Sequence, residues 1–158
     1  MLAFMLLIIS SGLVVVARYA LPGDLLYGVK ITAEEMELAL TLNPIQKTDL
    51  HVSFAGRRLV ELQELVLEGQ FEYIPATVAG FEAHISQAAQ GIQAVNKRDR
   101  HRGSDLASRL KEVLEVQAPL LGVFANAVPQ QYRADMQLAV NLAAATSQEM
   151  NALISSAN

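Results

Sequence analysis

His51, His84 and His101 are the only histidines in a 158-residue chain that has no cysteine. Imidazole can ligate a metal or carry a proton near neutrality. A helical metal site needs a second ligand three or four residues away on the same face. His51 has Lys47 and Ala55 at the four-residue places, and His84 has Gly80 and Ala88. None of these is a ligand. His101 lies in a basic turn. All three histidines therefore read as solvated residues on helix surfaces, and no metal or cofactor is expected.

Acid–base catalysis would need two carboxyls in unlike environments within one pocket. Glu61, Glu64 and Glu68 stand at helical spacing. However, Glu61 follows Arg57 by four residues and Arg58 by three, the spacing of intrahelical ion pairs. Ion pairing explains them as structural residues, and Arg57, Arg58 and Glu61 are also interaction candidates, with no catalytic residue among them. No glycine-rich phosphate loop and no serine nucleophile elbow occurs. The expected protein is not an enzyme. The stretch "KRDRHR" carries Lys97, Arg98, Arg100 and Arg102, a net charge of +3 with His101 neutral. It could meet anionic lipid or an acidic partner; its plainer reading is a solvated loop between helices. The whole chain has a net charge of −4, which argues against a nucleic-acid partner.

These residues need a scaffold, and the chain opens on an unusual one. "MLAFMLLIISSGLVVVARYA" has no charge before Arg18. About 20 helical residues span the roughly 30 Å hydrocarbon core of a bilayer. A cleaved signal peptide, with Val15 and Ala17 at the cleavage site, and a buried core helix are the alternatives. The missing basic flank disfavours the signal peptide. The expectation is a single transmembrane anchor over residues 1–20 in contact with lipid, then a helical domain over 21–158. Arg18 and Lys30, counted alone, place that domain on the cytoplasmic side.

Beyond residue 20 the apolar spacing is helical throughout. A first helix is predicted over 25–41, capped by Asp24, with Glu34, Glu35 and Glu37 facing water. Asn43 and Pro44 open a second helix that Gly69 closes after Glu68, striped by Val52, Ala55, Leu59, Leu62 and Val66. Pro75 opens a third, striped by Val78, Phe81, Ile85, Ala88, Ile92 and Val95. Residues 97–104 form a polar turn, with Ser104 capping the fourth helix. Leu106, Leu110, Val113, Leu120 and Phe124 stripe that helix, which Pro119 should kink or break. Pro129 starts the last helix, striped by Met136, Val140, Ala143, Ser147, Met150 and Ile154. The fold class expected is all-α: a transmembrane helix followed by a four- or five-helix antiparallel bundle.

Between anchor and bundle stands "ALPGDLLYGVK". Pro22 ends the preceding helix, Gly23 permits a turn, and Asp24 caps the next helix. Tyr27 packs under the corner or anchors in the head-group zone, and Lys30 faces water or a neighbour. Ala20, Pro22, Gly23, Asp24, Leu26, Tyr27 and Lys30, together with Ala55, Arg58, Leu59, Glu61 and Leu62, resemble a bacterial family of helical domains of unknown function. Its pattern is Ala-x-Pro-Gly-Asp-x-Leu-Tyr-x-x-Lys, an acidic helix, then Ala-x-x-Arg-Leu-x-Glu-Leu. Such domains commonly succeed one membrane span, and some sit in chains resembling anti-sigma factors. The resemblance implies an extracytoplasmic domain, against the charge count, and a regulatory setting. The sequence has no cysteine from which the zinc module of those chains is often built.

The function expected is that of a membrane-anchored extracytoplasmic domain acting through protein–protein interaction. The alternative is an accessory subunit of a larger integral membrane complex. There Ser10, Ser11 and Gly12 would offer a close-approach patch to another helix.

Overall fold

A computed structural model of the chain describes residues 20–157. Five α-helices appear there: α1 (Tyr27–Leu40), α2 (Pro44–Glu68), α3 (Ile74–Asn96), α4 (Arg100–Phe124) and α5 (Arg133–Ala157). Short 3-10 turns, Phe71–Tyr73 and Gln130–Tyr132, precede α3 and α5. No strand occurs among the described residues, so the expected all-α class is observed. The anchor expected over residues 1–20 lies, except for Ala20, outside the described residues. None of the described helices is long and apolar enough to cross a membrane. The chain divides into two compact units, one ending at Thr41 and the other beginning at Leu42.

The first unit holds the corner and α1. Gly23 has φ 102°, a left-handed conformation that glycine adopts without steric cost. Asp24 does not cap α1. Its carboxylate instead accepts from the Leu21 N–H at 2.7 Å, while its own N–H donates to the Leu21 carbonyl at 2.9 Å. The helix starts later than predicted, after Leu26, with no side-chain cap. Asp24 closes the turn backward because the carboxylate is short and the Leu21 amide is the donor within reach.

The second unit is a four-helix bundle. Asn43 caps α2 by accepting from the Ile45 and Gln46 N–H groups at 2.9 and 3.3 Å. Gly69, at φ 73°, ends the helix, and the Gln70 N–H reaches back to the Leu65 carbonyl at 2.9 Å. α2 packs on α3 and α4, and α5 packs on α3 and α4, so α2 and α5 stand at opposite corners. The core takes Val52, Ala55, Leu59 and Leu62 from α2, and the whole predicted α3 stripe from Val78 to Val95. It takes Leu106, Leu110, Leu114 and Leu121 from α4, and Met136, Ala139, Ala143 and Met150 from α5. α2 and α3 run antiparallel, since Thr48 lies by Gly91, His51 by His84 and Arg58 by Gly80.

Two details depart from expectation. Asp99, not Ser104, caps α4: its carboxylate accepts from the Arg102 N–H at 3.1 Å, and the helix begins at Arg100. The polar turn is thereby cut to Lys97–Asp99, and the second half of "KRDRHR" is helical. Pro119 lies inside α4, which continues to Phe124. The buried face nevertheless runs through Leu106, Leu110, Leu114 and Leu121, not through Leu120. Leu114 and Leu121 are fully buried while Leu120 is 49% exposed.

Candidate functional site

The side of α2 that carries Phe54 and Arg58 gathers the chemistry-bearing groups of the second unit. His51 and His84 do not stand apart in solvent. Both are half-buried, and their Nδ1 atoms approach to 3.2 Å across the α2–α3 contact. One nitrogen donates and the other accepts, according to tautomer. Their rings stand 5.5 Å apart, and the Phe54 ring meets His84 edge-on at 5.3 Å. The sequence rule failed here because each histidine's partner lies 33 residues away, on the neighbouring helix.

Burial pushes His84 down to about 4, helped by the positive charge of Arg58 and by His51. Burial also lowers His51, with the Lys47 ammonium adding to the effect. Both imidazoles are therefore neutral at pH 7, with a lone pair on one ring nitrogen each. Neutral imidazole is the ligating and proton-accepting form.

Arg58 and Glu61 hold the ion pair expected from their spacing, with Arg58 Nη1 at 2.6 and 2.5 Å from the two carboxylate oxygens. The expected surface setting is corrected: both side chains are buried. A charge held inside needs its counter-charge, so this pair serves structure before any partner. Arg57 stacks over the Phe54 ring at 4.8 Å.

In the first unit the motif residues turn out to be a clasp. Lys30, expected to face water or a neighbour, is buried and donates to the Ala20 carbonyl at 2.9 Å. Its ammonium lies 5.7 Å from the centre of the half-buried Tyr27 ring. Pro22 is buried and Gly23 exposed. Asp24 and Lys30 thus both bind backbone of residues 20 and 21. Glu34, placed on the wet side by the helical pattern, is buried as well, while Glu35 and Glu37 are exposed.

Lys97, Arg98, Arg100 and Arg102 are exposed, as expected of a basic surface. Arg102 pairs with Asp99 at 3.5 Å, and His101 with Asp105 at 3.1 Å. Asp99 is already counted in the +3 charge of the hexapeptide, and Asp105 adds one negative charge beside it. Arg98 and Asp99 also line a groove of about 470 Å³ between the start of α2 and the end of α3. Pro44, Ile45, Ala94 and Val95 supply much of its apolar wall. No group of three or more histidine, aspartate or glutamate side chains able to hold a metal occurs among the described residues.

An apolar row completes the surface. Val116, Leu120 and Val123 are 62%, 49% and 68% exposed and succeed one another at helical spacing on α4. Beside them the Gln63 amide donates to the Gln117 side-chain oxygen at 2.8 Å, tying α2 to α4. Leu67, one turn beyond Gln63, is 72% exposed. The sequence reading missed this row because it assigned Leu120 to the core stripe.

No curated protein and no solved structure matches the chain. Residues 19–157 match a family model described as a domain of unknown function, DUF5667, and the chain belongs to that family.

Proposed function

We propose that the chain is a membrane-anchored, extracytoplasmic helical domain that works by binding another protein and catalyses no reaction. The anchor rests on the apolar sequence of residues 1–20, and the extracytoplasmic side on the resemblance carried by residues 20–69. The non-enzymatic reading rests on the lack of cysteine, of a phosphate loop and of a nucleophile elbow. A single observation carries the interaction itself. Val116, Leu120 and Val123 present large apolar side chains to water in one row on α4. Apolar surface of this kind is stabilised when a partner covers it, at about 25 cal/mol per Å² removed from water. Regulation in the manner of an anti-sigma ectodomain is the setting this proposal favours.

Two measurements test it. In intact cells, added protease should digest the bundle; digestion only after the membrane is opened would put the domain on the other side. In gentle detergent, the chain should migrate in an assembly larger than one copy, and Leu120→Glu with Val123→Glu should release it. Migration as a single copy, unaltered by the pair of substitutions, would remove the interaction reading. An assembly that survives them and holds several integral membrane proteins would favour the accessory-subunit alternative.

A further inference from the structure

The histidine pair offers a ligand set that the interaction reading does not use. We propose that His51 and His84 bind one divalent transition-metal ion per chain, Cu2+ or Zn2+, through their Nδ1 atoms. Their nitrogens already stand 3.2 Å apart. With imidazole–metal bonds of about 2.0–2.1 Å, that separation closes to an angle of about 100–106° at the metal. The value lies between the right angle of a tetragonal site and the tetrahedral angle, so both ligands are spaced for the ion before it arrives.

The surroundings keep them there. α2 and α3 pack along their length, and the buried Phe54 edge sets the plane of His84. Both rings are only half-buried, which leaves room for water in the remaining coordination positions. Imidazole suits copper, zinc and nickel, and affinity among divalent ions peaks at Cu2+. Both rings are neutral at pH 7, so binding displaces no proton to solvent. The Nδ1 proton shared by the pair moves to Nε2 of its own ring, and both Nδ1 lone pairs face the ion. Lys47 and Arg58 oppose a cation, and Glu61 offsets Arg58. The result is an exchangeable two-histidine site, weaker than a closed one.

The test uses the full chain in mild detergent, purified without a polyhistidine tag. One equivalent of Cu2+ should give an electron paramagnetic resonance spectrum with coupling to two imidazole nitrogens. That spectrum should persist in His101→Ala and vanish in His51→Ala with His84→Ala. Zn2+ should raise the thermal midpoint of the parent and not of the double variant. Loss of a hydrogen bond behind a metal ligand costs about 10- to 100-fold in affinity, so loss of either imidazole should cost at least tenfold. Fewer than two coupled nitrogens in the parent chain would overturn the proposal without recourse to any variant. So would a spectrum that His51→Ala and His84→Ala leave unchanged, or one that His101→Ala abolishes.

Discussion

Asp24 and Lys30 both end on backbone, and that explains why a corner needs charged residues at all. Beside the turn at Gly23, the Leu21 amide and the Ala20 carbonyl take side-chain partners. One carboxylate and one ammonium supply them. Thermal unfolding of the full chain should rank the substitutions accordingly. Lys30→Met leaves a buried carbonyl unsatisfied and should cost about 1–3 kcal/mol. Gly23→Val forces a β-branched residue to positive φ and should cost a similar amount. Asp24→Ala removes only the hydrogen bond from the exposed Asp24 to the Leu21 N–H and should cost least, about 1 kcal/mol. Equal melting of all three with the parent would make the corner a dispensable loop.

A second consequence at this scale concerns pH. His51 and His84 have folded pKa values below that of a free imidazole, about 6.5. The unfolded chain then binds protons more readily than the folded one as pH falls. Their stabilisation is complete above about pH 6.5 and is lost toward the folded value of His84, about 4. In metal-free buffer the loss from His84 should reach about 1–2 kcal/mol, after discounting for its partial exposure. Denaturant midpoints at pH 7 and 4.5 measure it. His84→Gln should flatten that part of the profile; an identical pH loss in the variant would assign it to other groups.

At the scale of elements, α4 separates what sequence patterning can reach from what it cannot. The α3 stripe was legible because a buried helix face needs an apolar residue at every third or fourth place, and Val78 to Val95 supply one without interruption. The α2 ends were legible because Asn43, Pro44 and Gly69 each do a local job. The α4 start was not, since Asp99 and Ser104 are equally competent caps and only the chain path chooses. Asp99→Ala should therefore cost about 1 kcal/mol in unfolding free energy, and Ser104→Ala only a few tenths. The reverse order would return the cap to Ser104. Leu120 was misassigned for a related reason. Beyond Pro119 the pattern offers Leu120 and Leu121 side by side, and one residue of rotation decides which is wet. The histidine pair was invisible because its rule is tertiary: two helices must be docked before residues 51 and 84 are neighbours.

Over the second unit as a whole, one core serves four helices, and Phe81 lies in it with no exposed surface. Phe81→Ala should cost about 3–5 kcal/mol. Helical circular dichroism and tyrosine fluorescence, from Tyr73 and Tyr132 within this unit, should shift together in denaturant. A variant in which only one probe moves would mean that the bundle is not one cooperative body.

Because α2 and α5 stand at opposite corners, the bundle is assembled from two hairpins, α2 with α3 and α4 with α5. Synthesis delivers them in that order. The first hairpin is complete at Asn96, while its inward residues, Leu59, Leu62, Val78 and Phe81, belong to a core whose other half is still unmade. At about 5–20 residues per second, the chain to Ala157 takes roughly 3–12 s more. Helical hairpins form in far less time than that. For those seconds the ribosome carries a folded half with an open apolar face, and chaperone demand for this protein should peak there, before α5 is made.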